Sequence, residues 1–185
     1  MTGSPEQVIS RELDPGERLL WSGSPRHGLV IRGSDAAMIP FSLLWGGFAF
    51  FWEASVLRSN APAFFALWGV PFMIAGLYVI VGRFFVDAAV RARTFYGVTD
   101  RRAIIVSGIM SKTTKSLSLR TMAELSVSER AGGTGTVYFG QVPPWGAMFS
   151  GLRWPGMRYY FPPAFELIQD ARMVYNLIRK AQEAN

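Results

Sequence analysis

Few residues in this chain could carry catalytic chemistry. Among its 185 residues there is no cysteine and a single histidine, His27, which excludes disulfides, thiolate nucleophiles and histidine-rich metal sites. A Ser-His-Asp arrangement would have to recruit His27 from a segment next to the membrane, and no pair of carboxylates has a spacing that suits acid-base catalysis. We therefore expect no enzymatic activity, no cofactor and no catalytic or metal-ligating residue.

The glycine-rich segment Gly132-Gly133-Thr134-Gly135 has the composition of a phosphate-binding loop. It lies before a predicted strand, however, and no Gly-Lys-Ser or Gly-Lys-Thr follows it. A phosphate loop instead leads into a helix. The segment is better explained as the turn of a β-hairpin.

Positive charge is concentrated in the second half of the chain. From Arg83 to the end there are 14 Lys and Arg against 7 Asp and Glu, whereas the arm up to Asp35 has 4 against 5. Arg83, Arg91 and Arg93 could orient this half against anionic lipid headgroups, although the positive-inside rule explains the same charge equally well. No nucleic-acid motif accompanies the charge, so nucleic acid is not an expected partner.

The segment Val142 to Pro155, VPPWGAMFSGLRWP, carries the largest apolar content outside the hydrophobic helices. It could dip into the headgroup region with arginines on phosphates, cover its own domain, or bind a partner. The sequence leaves these three alternatives open. The residues proposed for contact here are Trp145, Phe149, Arg153, Trp154 and the following Arg158.

Two apolar segments predict a transmembrane hairpin over residues 36–82. Ala36 to Leu57 has one charge, Glu53, and Ala61 to Gly82 has none. Each has 22 residues, which as a helix spans about 33 Å and crosses the hydrocarbon core. Lys and Arg flank the hairpin more than they occupy its loop, which predicts a multi-pass protein of the cytoplasmic membrane with both termini in the cytoplasm.

Glu53 is the one ionisable residue inside the predicted spans. Such a residue can mark a proton or ion path. It lies about one turn from the helix end with Arg58 nearby, and a relay would lack a second member. We therefore interpret the hairpin chiefly as an anchor, with its glycines and Pro71 serving helix packing.

Downstream of the hairpin the hydrophobic pattern alternates, which predicts short antiparallel strands. Pro162-Pro163 ends the last of them, and the apolar positions from Ala164 to Ala181 recur at helical spacing. A curved antiparallel sheet or barrel of about six or seven strands, closed by a C-terminal amphipathic helix, is the predicted architecture. The predicted strands are Thr94 to Thr99, Arg102 to Ser107, Thr114 to Leu119, Glu124 to Ser128, Thr136 to Phe139 and Met157 to Phe161.

Several segments together resemble those of bacterial membrane proteins with a pleckstrin-homology-like domain. The resemblance covers nearly the whole chain and implies an all-β or α+β sandwich or barrel with a C-terminal helix, but little about activity. It is carried by residues 13–25, LDPGERLLWSGSP; 96–105, YGVTDRRAII; 116–119, SLSL; 135–140, GTVYFG; and 165–168, FELI.

The predicted organisation is a cytoplasmic arm over residues 1–35, the hairpin over 36–82 and the pleckstrin-homology-like domain over 83–185. The expected function is that of a membrane-anchored binding or scaffold module. Its partners would be the bilayer, anionic headgroups, a peptide, or a membrane-protein subunit or second copy. The alternative is a subunit of a small transporter or channel assembled from hairpins.

Overall fold

The computed structural model describes most of the chain and divides it into two units. The described residues are 3–31, 35–59, 61–109, 111–122, 124–130, 132–142 and 161–184. The hairpin unit contains the described residues between 29 and 87. The β unit contains residues 3–28, the described residues between 88 and 142, and 161–184. Residues 3–28 of the arm therefore belong to the same unit as the sheets.

The hairpin consists of two long helical stretches. The first is α2, Asp35–Arg58; the second is α3, Ala63–Leu77, continued by a π-helical turn, Tyr78–Gly82, and by α4, Arg83–Ala92. Both are long and apolar enough to cross a membrane. The predicted spans are confirmed as apolar helices, and the second continues past its predicted end at Gly82.

Apolar side chains of these helices are exposed in the described part of the chain. Leu44 is 76% exposed, and Phe51 and Leu67 are each 71% exposed. Exposed apolar surface on this scale suits contact with lipid and differs from the buried helices of a soluble core.

Glycines bring the two helices of the hairpin close together. A Cβ atom added at Gly76 would lie 3.2 Å from the Cα of Gly46, and one at Gly46 would lie 2.5 Å from the Cδ1 of Ile80. Gly47 faces open space instead. Small residues therefore permit close backbone approach at the first two positions.

The first sheet of the β unit has four antiparallel strands in the order β1-β2-β3-β4. Its central strands β2 and β3 form where the sequence predicts them, and β4 begins one residue before its predicted start. β1 was not predicted as a strand. It pairs with β2, although the whole hairpin lies between the two strands in the sequence. The elements are α1, Pro5–Ser10; β1, Leu19–Gly23; β2, Thr94–Thr99; β3, Arg102–Ser107; and β4, Thr113–Ser118.

Every residue of β2 is buried because both faces of the sheet are covered. On one face α1 packs through Ile9 against Phe95, Ile104 and Val106. A Cβ atom at Gly97 would lie 2.5 Å from Ile9, so the absence of a side chain there lets α1 lie directly on the sheet.

The second sheet has three antiparallel strands in the order β5-β6-β7. The prediction of one curved sheet is wrong in this respect, because the seven described strands divide into two sheets. The elements are β5, Leu125–Glu129; β6, Gly135–Phe139; β7, Ala164–Ile168; and the C-terminal helix α5, Ala171–Glu183.

The C-terminal helix is shorter than predicted. Residues from Ala164 form β7, which pairs with β6, and Leu167 and Asp170 both have φ of 51°, which ends any helical continuity between β7 and α5. The amphipathic helix itself is confirmed from Ala171. Of the predicted strand Met157 to Phe161, the first four residues lie outside the described residues, and Phe161 lies in no strand.

Phe165 lies at the centre of the core between the two sheets. Its ring centroid is 4.7 Å from that of Tyr96, 4.8 Å from that of Phe139 and 5.8 Å from that of Trp21. One apolar face of α5, including Val174, completes this core. The architecture is thus a pair of apolar helices plus two antiparallel sheets and a C-terminal helix.

Candidate functional site

Glu17 anchors the segment before the hairpin to the first sheet. One carboxylate oxygen accepts hydrogen bonds from Thr99 Oγ1 at 2.7 Å and Arg102 Nε at 2.8 Å, and the other accepts from Arg102 Nη2 and the Asp14 amide, each at 2.8 Å. Burial raises the pKa of the Glu17 carboxyl, but these hydrogen bonds outweigh it and lower the pKa to about 2. Both oxygens are engaged, so this carboxylate is a structural anchor.

A second carboxylate connects the same segment to the fourth strand. Lys112 Nζ donates a hydrogen bond to Glu12, and Thr114 Oγ1 donates to its other oxygen at 3.1 Å. The hydrogen bond from Lys112 lowers the pKa of Glu12 more than partial burial raises it. The arm is therefore fixed at both β3 and β4.

Arg91, at the end of α4, binds the backbone that leads into the hairpin. Its guanidinium donates to the carbonyl oxygen of Arg26 and, at 2.8 Å, to that of Gly28. The Arg26 amide in turn donates to the carbonyl of Leu167 at 2.9 Å. Arg91 is only 1% exposed, so these donors serve the protein's own backbone and are not presented to a headgroup.

The two other described arginines of the predicted set have different surroundings. In the hairpin unit, Arg83 Nη1 lies 3.0 Å from Asp35 Oδ1, and the guanidinium lies 4.5 Å from the Phe84 ring centroid. Arg93 in the β unit is exposed and donates to the carbonyl of Ile109 at 3.0 Å. Of the three, Arg93 alone is exposed. The remaining predicted contact residues lie outside the described residues: Trp145, Phe149, Arg153, Trp154 and Arg158.

A groove of about 710 Å³ opens beside the end of β4, and the sequence did not predict it. Its lining combines apolar side chains with hydroxyl, amide and carboxylate groups. Gln182 of α5 supports one wall by donating to the carbonyls of Leu119 and Met122 at 3.1 and 3.4 Å. The lining residues are Ser116, Leu117, Ser118, Thr121, Met122, Glu124, Phe139, Gly140 and Gln141.

One signal in the sequence pointed toward this surface. The segment Thr113–Ser118, TTKSLS, has the alternation of a strand but only one apolar residue, and its side chains are mostly exposed. A strand with so little apolar content belongs at a sheet edge. The groove itself depends on how the ends of β4 and β6 meet, which no local pattern records.

Glu53 lies in the interface between the helices of the hairpin. The residue is 6% exposed, and its Oε2 has no hydrogen-bond partner among the described residues. A Cβ atom at Gly69 would fall 1.7 Å from that oxygen. The carboxyl group therefore occupies the space that the glycine leaves, and it points toward α3 instead of toward Arg58 at the helix end.

The described residues contain no group of three or more His, Asp or Glu side chains that could hold a metal ion. His27 is exposed on the segment before the hairpin. No described arrangement joins it to a nucleophile.

No protein-family model, curated protein or solved structure matches this chain. Its class therefore rests on its own architecture, which is two apolar helices long enough to cross a membrane together with a β-rich unit.

Proposed function

We propose that this protein is a non-enzymatic binding or scaffold module of the cytoplasmic membrane, in which the hairpin anchors the β unit at the cytoplasmic face. The observation that carries the proposal is the bonding of Arg91 to the backbone at Arg26 and Gly28. It joins the chain just before the apolar helices to the end of α4, and both partners lie in the β unit. The hairpin is thereby connected to the β unit at both of its ends, through the chain before α2 and the chain after α4.

The proposal predicts that both ends of the hairpin face the cytoplasm and that the loop near Ser59 faces outward. The absence of native cysteine makes labelling with a membrane-impermeable maleimide a clean test. Ser59→Cys should react in intact cells, and Lys180→Cys should react only after permeabilisation. Labelling of Lys180→Cys in intact cells would rule out the proposed orientation.

A pleckstrin-homology-like fold is part of this proposal. Two antiparallel sheets followed by a C-terminal helix support it, since the resemblance of the sequence implied that arrangement. The tethered unit would need only weak contacts, because confinement to the membrane surface raises its effective concentration. Its ligand would be a lipid headgroup, a peptide or a partner subunit.

Contact with lipid is proposed for the aromatic segment around Trp145 and Trp154, with exposed Arg93 adding a positive charge. Single-tryptophan variants in bilayers with brominated acyl chains test this idea. Quenching of Trp145 or Trp154 is expected, while Trp21, which stacks on Phe165, should remain unquenched. Absence of quenching at both positions would eliminate direct lipid contact by this segment.

A second candidate function, a small transporter or channel subunit, is favoured by one observation. Glu53 is buried between the helices, and its Oε2 has no hydrogen-bond partner among the described residues. Ionisable groups inside membrane spans often serve ion or proton paths. This function predicts oligomers in mild detergent and a change of ion flux in liposomes on Glu53→Gln. An anchor predicts neither effect.

A further inference from the structure

The outer edge of β4 presents backbone groups that pair with no other described strand. The amide of Leu119 donates to the carbonyl of Arg101 on the β3 side at 3.0 Å, and in an antiparallel ladder every second residue repeats this inward orientation. The intervening residues therefore direct their backbone N–H and C=O groups away from the sheet. These residues are Thr114, Ser116 and Ser118.

The groove lies along the second half of this edge. Ser116 and Ser118 are part of its lining, next to the apolar Leu117, Met122 and Phe139. The groove is open to solvent, and its volume of about 710 Å³ leaves room for an apolar side chain. The edge thus offers main-chain hydrogen bonds and a pocket for a side chain in one place, which is what strand addition by a peptide requires.

The charge beside this edge indicates the kind of peptide. Lys115 in the strand and Arg120 just after it are exposed and have no ion-pair partner among the described residues. Glu124 is the one acidic residue of the groove lining. The excess of positive charge favours acidic side chains in an occupant, on either side of the apolar residue that enters the groove.

We propose that the edge of β4 binds an extended acidic segment of a partner protein as an added strand, with one apolar side chain of that segment in the groove. This inference rests on the proposed function as a binding module and names its ligand class. The partner's backbone pairs with Thr114, Ser116 and Ser118, and its carboxylates face Lys115 and Arg120.

The test uses the full chain in phosphatidylcholine nanodiscs and a short synthetic peptide that alternates glutamate with valine or leucine. Amide hydrogen exchange at Thr114, Ser116 and Ser118 should slow by at least about tenfold when the peptide is added. The amides of Lys115 and Leu117 face β3 and serve as internal controls, because they are protected already. A peptide with lysine in place of glutamate should leave the exchange rates unchanged.

A pair of proline variants tests the site. Ser118→Pro removes an outward amide and no hydrogen bond to β3, so it should weaken peptide binding by about tenfold or more. Glu129→Pro is the matched control: Arg130 donates to Thr134 at 2.8 Å across the β5–β6 turn, which places the Glu129 amide on the outer edge of β5. It should leave peptide binding intact, with circular dichroism confirming that both variants fold.

A charge reversal tests the sign of the charge on the ligand. Lys115→Glu should shift preference from the glutamate peptide toward the lysine peptide, whereas Lys180→Glu on α5 should not. Unchanged binding by Ser118→Pro would overturn the proposal, as would protection of the outward amides before any peptide is added. Binding of phosphatidylglycerol vesicles without peptide binding would also overturn it while leaving the proposed module function in place. The maleimide experiment tests that function separately.

Discussion

The guanidinium of Arg102 donates two hydrogen bonds, each of 2.8 Å, to the carboxylate of Glu17, which lies 85 positions earlier in the chain. The pair joins the segment before the hairpin to β3, the second strand after the hairpin. Thr99 and the Asp14 amide add two further hydrogen bonds to the same carboxylate. The β unit is therefore closed by polar contacts between distant parts of the sequence.

Removing the charge of Glu17 should destabilise the β unit. Glu17→Gln cannot accept both hydrogen bonds from Arg102, and loss of hydrogen bonds to a charged group costs about 2–3 kcal/mol. Thermal unfolding followed by tryptophan fluorescence measures the effect. Glu129→Gln, which breaks an exposed pair with Arg172, is the control and should change stability little. Equal effects of the two variants would contradict the role assigned to Glu17.

The stability of the β unit should fall in acid because of the same carboxylate. Its pKa is about 2 in the folded protein against an ordinary value of 4.5, so the unfolded chain binds more protons between these values. The stabilisation is complete above pH 4.5 and is lost as the pH falls toward 2, by up to about 3 kcal/mol. Across this range the free energy of unfolding should change more steeply with pH for the wild type than for Glu17→Gln. Identical pH dependence would exclude Glu17 as the source.

A large side chain at Gly76 should force the helices of the hairpin apart. A Cβ atom there would lie 3.2 Å from the backbone of Gly46, and overpacking of this kind costs about 1–3 kcal/mol. Gly76→Leu should therefore lower the detergent concentration at which the hairpin unfolds. Gly47→Leu makes the same change where nothing lies within 4 Å, and it should be tolerated. Equal sensitivity of both variants would contradict the described helix interface.

Loss of the Arg91 guanidinium should loosen the segment that enters the hairpin. Arg91→Met leaves the carbonyls of Arg26 and Gly28 without these donors, at a cost of about 1–3 kcal/mol. Because Arg26 is exposed, the rate of tryptic cleavage after it reports local opening and should rise. Arg93→Met, which affects a single exposed contact with Ile109, should leave that rate unchanged. An unaltered rate in Arg91→Met would argue against this anchoring.

Helices and strands that are determined by a local hydrophobic pattern could be predicted from the sequence. The spans follow from long apolar runs, and β2 and β3 follow from their alternation around the Asp100-Arg101 turn. β1 could not be predicted in the same way, because Leu19–Gly23 becomes a strand through pairing with β2 across the whole hairpin. β7 was missed because AFELI fits a helical pattern as well, and pairing with β6 decides the outcome.

The candidate site was only partly predictable for a related reason. Charge counting identified Arg91 as a residue near the membrane, but sequence cannot show that its donors reach the carbonyls of Arg26 and Gly28. The low apolar content of TTKSLS indicates that β4 is an edge strand, but the groove beside it depends on how the ends of β4 and β6 meet. These two strands belong to different sheets, and no single segment encodes their meeting.

Because β1 pairs with β2, folding of the β unit depends on correct insertion of the hairpin into the membrane. Leu19 and Thr99 are partners in one ladder, and both apolar helices lie between them in the chain. If the hairpin crosses the bilayer as proposed, insertion of one helix alone would leave these two strands on opposite sides of the membrane. The sheet could then not form, so folding of the β unit would require that both helices insert.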